Sequence, residues 1–100
     1  MEEITLTHYD NQSHGYTKVS KYDLLGWNIP INTFSNFSFY NSDNACLYLE
    51  EDCDLTKFIN LLSEKNIKVN FKTKEVNYEY FHNNNKFQYL DERINNAKIN

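Results

Sequence analysis

Residues 45–66 change their apolar period once, and that change does most to limit what this chain can fold into. From Ala45 to Glu50 the side chains alternate, with Leu47 and Leu49 on one face of a strand and Cys46 and Tyr48 on the other. From Leu55 onward the spacing is helical, because Leu55, Phe58, Ile59 and Leu62 fall at i, i+3, i+4 and i+7. Between the two periods lies Glu50-Glu51-Asp52-Cys53-Asp54. Asp52 or Asp54 is placed to cap the helix by accepting hydrogen bonds from the free N–H groups of its first turn. Asn66 suits the left-handed position that ends a helix, with Ile67 packing back on the last turn. Strand, acidic turn and helix in direct succession predict an α+β domain.

The flanking segments supply the rest of a sheet. Ile4 to Tyr9 alternates as a first strand, and Asp10-Asn11-Gln12-Ser13 is a polar turn. His14 to Val19 reads as a second, short extended piece, with Gly15 marking a bend or a close backbone approach. Ser20 is a natural N-cap for a brief helix from Lys21 to Gly26, whose Tyr22 and Leu25, with Trp27 beyond, would cover the core edge. Asn28-Ile29-Pro30 stops it, because proline disfavours helical geometry in the residue before it. Phe34 to Tyr40 reads as a strand that turns at residues 41–44 and pairs with residues 45–50 as a hairpin. Ile67 to Phe71 alternates cleanly, and Lys72-Thr73-Lys74 either turns or continues into Glu75 to Tyr80. Asn83-Asn84-Asn85 is a loop, Phe87 to Leu90 a short element, and residues 91–99 a weak helix, with residues 92–100 expected as a mobile tail.

These elements predict a single domain over residues 1–100, an antiparallel sheet of about four strands with the amphipathic helix (about 54–65) on one face. The expected core is Leu6, Val19, Leu25, Phe37, Phe39, Leu47, Leu49, Leu55, Phe58, Ile59, Leu62, Val69 and Phe71. Eight Tyr, seven Phe and one Trp give this small core unusual area per residue. With only two glycines and one proline, asparagine must supply most of the turns.

Charge is unevenly spread. Residues 1–54 hold nine carboxylates against two lysines, a balance of −7, whereas residues 55–100 hold eight basic against five acidic side chains, a balance of +3. That distribution argues against a uniformly basic nucleic-acid binder and leaves an acidic side for a basic partner. The amino terminus carries two glutamates and no apolar run, and no stretch reaches the roughly 18–20 apolar residues of a membrane span. Neither a signal peptide nor membrane insertion is expected. Cys46 and Cys53 are then expected as reduced thiols in a cytoplasmic protein.

The acidic run admits three readings. A helix N-terminus favours negative charge by about 0.3–1 kcal/mol per group. The same carboxylates, Glu50, Glu51, Asp52 and Asp54 together with Asp43, can instead face a basic partner. Metal binding is the third reading, but the spacing lacks the alternating oxygen ligands, central glycine and closing glutamate of a calcium loop. His8, His14 and His82 show no metal-pair spacing, so neither metal nor cofactor is expected. His14 precedes Gly15-Tyr16, and His14 and Tyr16 with neighbouring aromatics form the alternative site, for a small ligand or nucleotide. A cysteine nucleophile paired with a histidine rests on residue identity alone. Lys65, Lys68, Lys72 and Lys74 are too few to set up nucleic-acid recognition. No phosphate loop, dinucleotide glycine pattern, nucleophile elbow or CxxC motif occurs, and the expectation is a non-enzyme. An exposed strand edge and surplus aromatics leave room for a homodimer.

His14-Gly15-Tyr16, then Tyr48-Leu49-Glu50-Glu51-Asp52-Cys53-Asp54, then Phe58 and Leu62, resembles a set of small uncharacterised proteins carried by phages, prophages and plasmids. The resemblance spans roughly residues 14–70 and transfers no functional residues. Such proteins keep company with inhibitors of bacterial defence, among them anti-CRISPR proteins, which are small, often acidic and act by tight binding. The resemblance therefore implies a binding protein that blocks a host defence complex through an acidic surface.

Overall fold

Residues 2–82 and 85–90 are described by the computed structural model of the chain. Its strands are β1 (Glu2–Asp10), β2 (Gly15–Ser20), β3 (Phe39–Asn41), β4 (Cys46–Glu50), β5 (Ile67–Glu75) and β6 (Phe87–Tyr89). Its helices are α1 (Lys21–Gly26) and α2 (Asp54–Glu64), with short 3-10 turns at Ile31–Thr33 and Tyr78–Tyr80. Asn83, Asn84 and the expected C-terminal helix and tail lie outside the described residues.

The α+β class holds, but the sheet is larger than expected and mixed. Its order is β5-β1-β2-β4-β3-β6, and β1 pairs with β5 in parallel while the other neighbours are antiparallel. β4 and β5 consequently run the same way, so β4–α2–β5 is a crossover that carries α2 over β2 and β1. The expected hairpin of β3 and β4 is present, with Phe39 opposite Tyr48. Its first strand is much shorter than residues 34–40, because Ser35 and Ser38 turn toward Asp54 instead of joining the sheet. Residues 72–75 continue β5. Beyond them Val76 donates its N–H to the Asp10 carbonyl, and the chain leaves the sheet for the 3-10 turn at Tyr78–Tyr80.

Alternation sorts the core into two layers. On one face Val19, Leu47 and Leu49 pack with Leu24, Phe34, Phe58 and Leu62 beneath α1 and α2, and Ile4, Leu6, Leu55 and Val69 close the margin. Full burial of a side chain such as Phe58 or Leu62 contributes about 1.5–3 kcal/mol. On the other face Tyr9, Tyr16, Phe39, Cys46 and Tyr48 meet Phe81, with Val76, Tyr80 and Phe87 packed around them. This second layer is absent from a sheet with only one covered face. It explains the aromatic surplus, since Phe39 and Phe81 stack at 5.5 Å and Tyr48 meets Phe87 edge-on at 5.0 Å.

Three expected core residues, Leu25, Phe37 and Phe71, are exposed. In α1 the inward position belongs to Leu24, one residue earlier, and Tyr22 is exposed as well. Trp27 packs against Phe58 at 6.0 Å. Phe71 sits on edge strand β5, where it meets His8 edge-on. Ser20 caps α1 as expected by accepting from the Tyr22 N–H. At α2 neither Asp52 nor Asp54 caps, and the N-cap position falls to Cys53, whose side chain accepts nothing. The Glu50 carboxylate takes up the Asp52 and Cys53 N–H groups. Asn66 does adopt the left-handed conformation at φ 64°, and Ile67 is buried behind it.

Candidate functional site

The register of the sheet builds a cleft at one end of the aromatic layer. Tyr16 of β2 lies opposite Glu50 of β4, and in the next row Tyr48, Phe39 and Tyr89 line up across β4, β3 and β6. The cleft beside these rows has a volume of about 460 Å³ and is lined by His14, Tyr16, Phe37, Glu50, Asp52, Cys53, Tyr78, His82 and Tyr89.

Its acidic wall is fixed by hydrogen bonds. Glu50 is 7% exposed, and its Oε1 and Oε2 accept from the Asp52 N–H at 2.6 Å and the Cys53 N–H at 3.1 Å. The Glu50 N–H in turn donates to Ser38 Oγ at 2.9 Å. Ser38 Oγ donates to Asp54, which also accepts from the Ser35 N–H at 3.0 Å and from Ser35 Oγ at 2.8 Å. Asp54 is 0% exposed, with Lys57 Nζ 3.8 Å away. It therefore pins the loop bearing Phe37 to the start of α2. Asp52 is exposed and lines the cleft, and no described residue donates a hydrogen bond to its carboxylate.

The aromatic wall presents open ring faces. Tyr78 stacks on His82 at 4.2 Å and 15°, and Tyr89 stacks on Phe39 at 4.4 Å and 29°. Yet Tyr78 is 53% exposed, Tyr89 49% and Phe37 59%. A ring covered on one side and still half exposed offers its other side to whatever enters. The potential here is negative. Burial first, then the neighbouring Tyr89, Glu50, Tyr78 and Glu51, pushes the Tyr16 phenol up to about 12.

The expected site residues divide accordingly. His14 and Tyr16 of the alternative ligand site both line the cleft, and Glu50 and Asp52 of the acidic set join them there. The rest of that set does not form one surface with them. Asp54 is consumed inside the fold, which removes it from any surface, and Glu50 shows only its rim. Asp43 is exposed in the turn that precedes β4, at the end of that strand opposite Glu50. Glu51 is directed at His8, with Oε2 3.5 Å from Nε2. Gly15 permits this approach, since a Cβ there would stand 2.3 Å from His8 Nε2 and 2.4 Å from Glu51 Oε2. Phe37 is expected in the core and His82 only as one of three scattered histidines, and neither Tyr78 nor Tyr89 is marked as a site residue. The alternation of residues 87–90 hinted at Tyr89, whereas nothing local marks Tyr78 as part of a site.

Two arrangements resemble catalytic ones. His8 Nδ1 lies 2.8 Å from Thr17 Oγ1 and its Nε2 faces Glu51, an order of hydroxyl, imidazole and carboxylate. Thr17 is fully buried, so its hydroxyl meets no substrate. Cys53 is exposed, but its thiol is pushed up by partial desolvation and by Glu50, Asp54 and Asp52, which disfavours the nucleophilic thiolate. Among the described residues no three His, Cys, Asp or Glu side chains are grouped to hold a metal ion, and no helix is long and apolar enough to cross a membrane. Compared with protein families, curated proteins and solved structures, the chain matches none.

Proposed function

We propose that this protein is a non-enzymatic binding protein whose aromatic and acidic cleft captures a basic segment of a protein partner. The observation that supports it is the convergence of three half-exposed aromatic residues, Phe37, Tyr78 and Tyr89, on the carboxylates of Glu50 and Asp52. Exposed aromatic groups cost solvation unless a partner covers them, and aromatic anchors with complementary charge are what binding surfaces concentrate. The resemblance to small mobile-element proteins points to a nucleic-acid-binding surface of a bacterial defence complex, in the cytoplasm, as the target class.

A pull-down from bacterial lysate tests this reading. Wild-type protein is expected to retain a protein partner, with retention falling as salt rises. Asp52→Lys should lose it, whereas Asp43→Lys, at the far end of β4, should keep it. No partner, or equal capture by Asp52→Lys, would sink the proposal.

A second reading is a small-molecule site, favoured by the meeting of His14 and Tyr16 in the same cleft. The carboxylates narrow it, because nucleotide phosphates would face Glu50 and Asp52. A cationic small molecule is the better fit, and a saturable rise in melting temperature would support it.

A further inference from the structure

Resting on the reading of a basic partner, we infer that the cleft is built to take an arginine side chain, its guanidinium laid flat against the open faces of Tyr78 and Tyr89 and its edge turned to the Asp52 carboxylate. Lysine and arginine carry the same charge but ask for different surroundings. An ammonium is compact and strongly hydrated, so an open cleft gives it little that water does not. A guanidinium is planar and weakly hydrated, stacks on aromatic faces and still donates in its own plane.

Three features of the cleft match the planar group. The rings of Tyr78 and Tyr89 are each braced by a stacked neighbour, His82 at 4.2 Å and Phe39 at 4.4 Å, so stacking a guest does not require ordering a loose ring. No described residue donates to the Asp52 carboxylate, whose two oxygens can receive two parallel N–H groups. Glu50 beside it is immobilised by the two backbone N–H groups it accepts, and contributes fixed negative charge with no further ordering cost. The Tyr16 phenol is pushed up first by burial, and the neighbouring Glu50 and Glu51 add to the shift. Anions are disfavoured at such a site and apolar guests would leave Asp52 unpaired.

Calorimetric or NMR titration of the full chain tests the inference with three short Gly/Ser peptides of one length, carrying arginines, lysines or uncharged citrullines at the same positions. The arginine peptide is expected to bind saturably and at least about fivefold more tightly than the lysine peptide, in keeping with the stacking preference. The citrulline peptide, planar but neutral, should not saturate. Tyr78→Leu keeps apolar bulk but removes the ring face, and should bring the arginine peptide down to the lysine level. Asp52→Asn should weaken both charged peptides. Equal affinity for arginine and lysine, or an unchanged preference in Tyr78→Leu, would overturn the arginine assignment while leaving a basic partner in place. Failure of both charged peptides to bind would overturn the basic-partner reading with it.

Discussion

Asp54 is the clearest case of a residue whose chemistry differs from its address. It stands in a run of acids at a helix start, where a solvated carboxylate suffices, yet it is fully buried and accepts from Ser35 and Ser38. Replacing it with alanine leaves the Ser35 N–H and two hydroxyls without their acceptor. Asp54→Ala should therefore destabilise the fold by about 2–4 kcal/mol, as for loss of a buried charged acceptor. Denaturant unfolding measures this, and Asp52→Ala, exposed and unpaired among the described residues, should change stability by no more than about 0.5 kcal/mol. Cys53 is the opposite case, an exposed thiol made sluggish by its acidic neighbours. Alkylation by iodoacetamide near pH 8 should be slower at Cys53 than for a cysteine in an unstructured peptide. A faster rate would reopen a nucleophilic role.

The elements were legible wherever the signal was local. α1 with its Ser20 cap, β4 with its two-sided alternation, and α2 with Asn66 behind it all follow from spacing and cap chemistry within a few residues. Three things did not follow. The parallel pairing of β1 with β5 joins distant segments and leaves no local trace. The shortening of β3 depends on Asp54 reaching back to Ser35. The cleft draws on β2, β4, β6, the loop before β3 and the 3-10 turn at Tyr78–Tyr80, so the sequence marks only His14, Tyr16, Glu50, Asp52 and the candidate nucleophile Cys53. Turn chemistry was half legible, since among the described residues the positive-φ positions are Asn28 and Asn66 but also Gln12 and Ala45. Ala45, at φ 57°, enters β4 with its Cβ close to the following carbonyl. Ala45→Gly relieves that conflict and should stabilise the protein by about 1 kcal/mol, read as a higher midpoint in urea.

On the scale of the whole molecule, the two faces of the sheet carry different liabilities. The helical face is mainly aliphatic, with Phe34, Tyr40 and Phe58 among its buried side chains, whereas the other concentrates phenols in Tyr9, Tyr16 and Tyr48. Burial comes first in pushing Tyr48, like Tyr16, up to about 12, with Asn44 opposing it through a hydrogen bond to the Tyr48 hydroxyl. Between their ordinary value near 10 and about 12 the unfolded chain loses these protons while the folded chain keeps them. Stability contributed by the buried phenols is thus whole below pH about 10 and falls as pH rises toward 12. Ultraviolet titration should show Tyr16 and Tyr48 ionising late, with Tyr9 also raised by burial, and Tyr48→Phe should reduce the alkaline loss of stability.

The parallel ladder that runs from Glu2 opposite Ile67 to Asp10 opposite Glu75 also governs how the chain can go wrong. During synthesis β1 emerges first and waits with one edge unfilled until β5 has been made. Closing so distant a pair is slow compared with forming β3 and β4 or α2. Until then, β5 from a second copy is a chemically identical substitute. Exchange of that strand between two chains is accordingly the characteristic misassembly of this architecture. Its signature would be a swapped dimer whose yield climbs with protein concentration during refolding and which, once formed, dissociates only on unfolding.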